Sequence, residues 1–191
     1  MSSPARPEVG REEYLSKISG IGGKLRKLPE DFEVQEFIET GTGPHWNWAR
    51  ENEDGKHCIV RITAKNWDTH VLIKELSKRL DIGQRAIGFA GTKDRRAVSK
   101  QYFSLRAPVE KVDKLEINNV EIELMHRAVK PIRLGNLIGN KFKTRITETS
   151  GNEKKIKEII KQLDGRFPNY FGIQRFGVTR PITHLVGEKI V

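Results

Sequence analysis

Hydrophobic positions recur along this chain with two periods, and the switches between them mark its elements. Phe32, Val34 and Ile38 alternate with Glu33, Gln35 and Phe37, the period-2 pattern of a half-buried strand with a weak end. After the turn residues Asn52-Glu53-Asp54-Gly55, the run Cys58-Ile59-Val60-Arg61-Ile62 predicts a second strand, expected to pair hairpin-fashion with the segment before it. The period then changes. Val71, Leu72, Leu76 and Leu80 recur at helical spacing, with Asp68 as N-cap and Asp81-Ile82-Gly83 as the stop, while Lys74, Lys78 and Arg79 take the other side. A short run ending in Phe89-Ala90 reads as a buried strand, and Gln101-Tyr102-Phe103-Ser104-Leu105 reads as another strand, ended by Ala107-Pro108.

Further on, Leu115, Ile117, Val120, Ile122 and Leu124 alternate around Asn118-Asn119, as in a bulged strand or hairpin. As a strand, the segment 140–147 puts Asn140, Phe142, Thr144 and Ile146 on one face and Lys141, Lys143 and Arg145 on the other. Ser150 with Glu153 makes a capping box ahead of Ile156, Ile159, Ile160 and Leu163, a core-facing stripe that stops at Gly165. Mixed strands with two good helices predict an α+β fold on a mixed or antiparallel sheet with flanking helices.

The connecting segments are less regular. Met1 to Glu13 is polar, with too little apolar content to offset the entropy of ordering, and predicts a flexible arm. Gly20-Ile21-Gly22-Gly23 leads into the basic cluster Lys24, Arg26 and Lys27. Trp46 and Trp48 would share one face of a strand, where they either fill core or, exposed, stack on bases; core is the preferred reading. His126-Arg127 and Lys130-Pro131-Ile132-Arg133 form a basic connector.

Composition narrows the class. In 191 residues, 35 Lys and Arg against 25 Asp and Glu leave a formal charge of +10, a balance that favours phosphate-rich partners. Cys58 stands alone, so no intramolecular disulfide can form. His45, His57, His70, His126 and His184 lack metal-ligand spacing, so no metal is expected. The polar start does not resemble a signal peptide and no apolar run approaches the ~18 residues of a membrane span, so a cytoplasmic protein without a membrane partner is expected.

The densest chemistry lies in Gly88-Phe89-Ala90-Gly91-Thr92-Lys93-Asp94-Arg95-Arg96-Ala97-Val98-Ser99-Lys100-Gln101, where a buried strand is broken by Gly91-Thr92. One carboxylate, Asp94, follows among Lys93, Arg95, Arg96 and Lys100. Nearby cations favour its ionised form and suit a polyanionic substrate, although a solvated charged turn would read the same way. Two nucleotide motifs fail on spacing. Thr92-Lys93-Asp94 lacks the residue that a guanine-reading Thr-Lys-x-Asp places before its Asp. Gly23-Lys24 has Ile18 where a phosphate loop needs its first glycine and Leu25 where it needs a hydroxyl. No nucleotide cofactor is expected.

The run Ala90 to Val98 resembles the active-site motif of the TruD family of pseudouridine synthases, whose Asp after Gly-Thr-Lys is catalytic. Pro168-Asn169-Tyr170-Phe171-Gly172-Ile173-Gln174-Arg175-Phe176-Gly177 resembles that family's other long motif; Pro29-Glu30-Asp31-Phe32-Glu33-Val34 and Gly139-Asn140-Lys141-Phe142 are shorter matches in family order. The resemblance implies a pseudouridine synthase-like catalytic core, partial relative to the family's usual length. It would comprise an arm over 1–20, the N-terminal part of the catalytic domain over 21–180, and over 181–191 the start of the connection to an inserted domain.

The resemblance also implies an isomerase that converts a uridine in tRNA, at position 13, to pseudouridine without a cofactor. Asp94 would be catalytic and Arg26 its basic partner, a role that Lys24 or Lys27 could equally fill. Asn140 would bring an amide near the carboxylate and Phe142 a ring against the uracil. Lys93, Arg95 and Arg175 are the further residues expected to contact substrate. Two alternatives stay open, a non-catalytic RNA-binding protein and an incomplete catalytic fragment.

Overall fold

The computed structural model describes residues 15–38, 51–167 and Lys189. Gly23–Glu148 forms one compact unit, and the described residues 15–22 and 149–167 belong to a second. Residues 1–14 of the expected arm, Trp46, Trp48, His45, His184, the motif 168–177 with Arg175, and the connection over 181–191 lie outside the described residues, Lys189 excepted.

The strands of the first unit are β1 (Lys24–Leu25), β2 (Phe32–Phe37), β3 (His57–Lys65), β4 (Ile87–Phe89), β5 (Val98–Leu105), β6 (Val120–Ala128), β7 (Gly139–Thr144) and β8 (Ile146–Thr147). Its helices are α1 (Thr69–Leu80) and the single turn α2 (Val109–Val112); α3 (Glu153–Leu163) belongs to the second unit. The main sheet runs β6-β3-β5-β2-β7, with β4 added beside β5, and β1 pairs with β8 as a separate ribbon. Among the described strands only the β2–β5 pairing is parallel, so the α+β fold with a mixed sheet is the one the periodicities predict.

One expected pairing does not form. Both edges of β3 are taken, by β5 and by β6, and Glu51 bridges to Ala128; residues 39–50 before it lie outside the described residues. The turn at Asn118-Asn119 is tight, with Asn119 left-handed at φ 59°, and β6 carries its irregularity opposite Ile59/Val60.

Core burial explains why α1 lies where it does. Val60 and Ile62 of β3 and Phe103 and Leu105 of β5 face Leu72, Ile73, Leu76 and Leu80 of the helix in one buried cluster. The apolar stripe therefore includes Ile73 and leaves Val71 outward, 52% exposed. Asp68 caps the helix by accepting from the amides of His70 and Val71, and Asp81 ends it in the left-handed conformation. The opposite sheet face is covered near Ile59 by Ala90, Ala128 and Ile132. There Gly88 lies against the Ile132 carbonyl, which any Cβ at that position would strike.

The second helix starts later than its capping box suggests. Asn152, not Ser150, caps α3 by accepting from the Lys155 amide, while Ser150 bonds the Ile21 carbonyl through its amide and its hydroxyl. No residue of α3 is buried, so the expected core-facing stripe is only half-covered, at Ile159 and Leu163.

Candidate active site

The sheet register sets the site. Antiparallel pairing of β2 with β7 places Phe32 opposite Thr144, Val34 opposite Phe142 and Glu36 opposite Asn140, so these six side chains share one face. Val34 also pairs with Ser99 of β5, which puts that face in line with Gln101 and Phe103 and hence with α1. Lys141 and Lys143 point to the other side, where they line a shallow groove with Glu33, Gln35 and Lys100.

Residues 90–97 link β4 to β5, and three buried polar anchors fix the first half of this loop. Lys93 Nζ meets Glu36 Oε1 at 2.6 Å, its side chain only 6% exposed. The Lys93 amide donates to Thr69 Oγ1 at 2.9 Å. Gln101 Nε2 donates to the Gly91 carbonyl at 2.8 Å and its Oε1 accepts from Thr69 Oγ1 at 3.3 Å. Glu36 has a second task. β2 and β4 occupy successive stretches of β5, and the Tyr102 amide left between them donates to Glu36 Oε2 at 3.0 Å. A buried carboxylate is tolerable here because both oxygens are satisfied and one faces a cation.

Asp94 follows this anchored stretch and remains half exposed. Its Oδ2 lies 3.0 Å from Arg26 Nη2, with side-chain exposures of 51% and 38%. The Arg26 guanidinium sits 3.8 Å from the centroid of the Phe32 ring, and that ring lies 5.9 Å from Phe142. Carboxylate, guanidinium and two rings thus form a continuous series along one sheet face. Phe142 is 59% exposed, as a base-stacking ring must be and a core phenylalanine is not. Asn140 is exposed beside Glu36 on the same face.

Of the three candidate cations near the N-terminus, Arg26 meets Asp94. Lys24 and Lys27 both turn to Glu148, each at 2.6 Å, and these contacts hold the Glu148 carboxyl below the usual carboxylate range. Arg26 and Glu148 both adopt left-handed backbone, at φ 55° and 54°, one at each end of the β1–β8 ribbon.

The cations expected around Asp94 are placed differently. Lys93 is sequestered with Glu36, so it supports the loop from beneath and its side chain is buried. Arg96 donates to the Lys27 carbonyl. Lys100 falls on the far face, because strand alternation sends it opposite to Ser99 and Gln101. Arg95 is exposed next to the carboxylate. Among the described residues, no group of three or more His, Cys, Asp or Glu could hold a metal ion. No described helix is long and apolar enough to cross a membrane.

Comparison with known proteins agrees with this geometry. Residues 8–191 match the family model described as tRNA pseudouridine synthase D (TruD). The chain belongs to the TruD family. It is similar to two archaeal proteins named probable tRNA pseudouridine synthase D. The one from Methanococcoides burtonii is 39% identical, covering 96% of this chain and 42% of the relative. The one from Thermococcus gammatolerans is 44% identical, over 93% and 41%. It is also similar in fold to the crystal structure of a TruD protein from Methanosarcina mazei, with TM-score 0.81 and 35% identity over 94% of this chain and 40% of that one. The chain therefore spans about two fifths of the length of the TruD relatives it matches.

Sequence reasoning missed Glu36, Thr69 and Gln101. Two of them carried a signal. Glu36 and Gln101 sit in the apolar phase of their strands, where a polar side chain needs a buried partner. Thr69, the first residue of a helix, carried none.

Proposed function

We propose that this chain carries the carboxylate-bearing part of a tRNA pseudouridine synthase, with Asp94 as the group that acts on the sugar of an extruded uridine. The observation that supports it most directly is the series Asp94, Arg26, Phe32 and Phe142 on one open sheet face. A uracil flipped from its stack needs an aromatic platform, and the carboxylate must be ionised beside it. Exposed Phe142 offers the first, and Arg26 Nη2 places a cation 3.0 Å from Asp94 Oδ2.

In the reaction the C1′–N1 glycosidic bond breaks, the freed uracil turns, and a C1′–C5 bond forms. C5 gives up its proton to solvent and N1 gains one, so the product is an isomer and no redox partner is required. Asp94 either adds to the nucleotide or removes a sugar proton on the way, and both routes begin from the anion. The substrate on this reading is the uridine at position 13 of a tRNA, in the cytoplasm. Asn140 and Arg95 are assigned to substrate contact, as is Arg175, which lies outside the described residues.

Tritium release from C5-labelled uridine in tRNA tests the assignment. Wild-type release with none from Asp94→Asn, at equal RNA affinity, is expected; substantial release by that variant removes Asp94 from its role. Because the chain spans two fifths of its relatives, a second result is informative. Salt-dependent RNA binding without turnover by the wild type would mark a chain that holds the carboxylate and needs further protein for catalysis.

A further inference from the structure

We propose that Thr69 and Gln101 are positioning residues that fix Asp94 through the backbone before it, a role that rests on the reading of Asp94 above. The geometry is a closed ring. Thr69 Oγ1 accepts from the Lys93 amide at 2.9 Å and gives its only proton to Gln101 Oε1 at 3.3 Å, and Gln101 Nε2 returns to the loop at the Gly91 carbonyl, 2.8 Å away. The two side chains span Gly91 to Lys93, the three residues leading directly into Asp94.

Both side chains are buried, Thr69 1% and Gln101 2% exposed, so neither is available to substrate. Neither is required by its own element. Asp68 caps α1, which leaves the Thr69 hydroxyl without a capping task. Gln101 occupies a core-facing position of β5 between Ser99 and Phe103, where an apolar residue would serve the sheet equally well. What the pair provides is a defined direction for each hydrogen bond. A hydroxyl that donates to an amide oxygen can only accept from the Lys93 N–H, and an amide whose oxygen is taken can only donate to the Gly91 carbonyl. The ring ties the loop to a helix on one side and a strand on the other, so Asp94 inherits the rigidity of both. Beyond Asp94 the loop is held by the Arg96 bond to the Lys27 carbonyl and the Ala97 carbonyl bond from the Asn66 amide. Displacement of a reacting group by about 1 Å costs on the order of a hundredfold in rate, so loss of the ring is read in turnover.

The test compares Thr69→Val, which keeps shape and removes the hydroxyl, with Thr69→Ser, which keeps the hydroxyl, in the full chain. Thr69→Val is expected to lower kcat for tritium release at least about tenfold with KM for tRNA within about twofold, while Thr69→Ser stays within about threefold of wild type. Gln101→Glu retains an acceptor for Thr69 and loses the donor to Gly91, and it should lower kcat in the same way. Amide hydrogen exchange gives a readout independent of activity: Lys93 should exchange about tenfold faster in Thr69→Val, with Val60 and Leu76 unchanged. Wild-type kcat in Thr69→Val, equal damage in Thr69→Ser, or faster exchange spread equally over Val60 and Leu76 overturns the proposal. Wild-type turnover by Gln101→Glu removes that residue from the ring. If wild type itself neither binds tRNA nor releases tritium, the functional reading fails; if it binds without turnover, faster exchange confined to Lys93 or its absence still decides whether the ring holds the loop.

Discussion

Arg26 Nη2 stands 3.0 Å from Asp94 Oδ2, and the same guanidinium covers the Phe32 ring. The backbone of Arg26 is left-handed at φ 55°, a conformation that costs a non-glycine residue about 1 kcal/mol. Its side chain returns a similar amount, about 0.5 to 1 kcal/mol from the cation over the ring and at most about 1 from a half-exposed ion pair. Arg26→Gly should therefore keep stability within about 1 kcal/mol of wild type in urea denaturation while tritium release is lost. Arg26→Lys keeps the charge without the planar stack and should fall between. Wild-type turnover by Arg26→Gly would show that Asp94 needs no such partner.

Phe142 contributes little to folding and is assigned to stacking on the uracil. At 59% exposure, with its contact to Phe32 at 5.9 Å, truncation leaves the core intact. Phe142→Ala should leave the urea midpoint near wild type and cost on the order of 1 to 3 kcal/mol in tRNA affinity or in kcat/KM. Unchanged affinity and rate would place the uracil elsewhere.

How far the sequence disclosed this arrangement depended on how local the signal was. The strands and α1 were legible because each rests on a periodic pattern and an end signal within its own residues, such as Asp68 and Asp81. The 140–142 strand was legible from its pattern, and strand alternation placed Asn140 and Phe142 on one face correctly. The choice among Lys24, Arg26 and Lys27 was not legible. It depends on Glu148, more than a hundred residues away in sequence, which takes both lysines. For the same reason the burial of Lys93 was not legible. Its partner Glu36 lies on another strand, and neighbours in sequence say nothing about that pairing. The partners of β3 were also misread, because strand pairing is set by the whole sheet and not by the nearest turn.

The burial of Lys93 and Glu36 makes this pair a matter of stability. Removing one partner strands a charge in a site where neither side chain is more than 6% exposed. Lys93→Met should destabilise the fold by about 3 to 5 kcal/mol. Glu36→Gln should do likewise, although its remaining oxygen can still accept from the Tyr102 amide. The double variant should cost much less than the sum, because the stranded charge is then absent. Single variants with wild-type urea midpoints would show that Lys93 reaches solvent readily, and would return it to the substrate face.

Glu148 makes the presentation of Arg26 sensitive to acid. Hydrogen bonds from Lys24, then Lys27, hold its carboxyl below the ordinary range, so its folded pKa lies under the unfolded value of about 4.3. A depressed carboxyl contributes stability that is present above the unfolded pKa and is lost as pH falls through the folded one. The two lysines flank Arg26 in the chain, and Glu148 closes the ribbon in which Lys24 pairs with Thr147 and Leu25 with Ile146. Glu148→Gln should thus loosen the ribbon at neutral pH, with faster amide exchange at Leu25 than in wild type and lower turnover. The difference between the two proteins, compared at each pH, should shrink as the solution is acidified from pH 7 past the unfolded value and through the lowered folded one, as wild type loses the same charge. A difference that stays constant over that range, or grows toward acid, would mean that Glu148 holds the ribbon through something other than its charge.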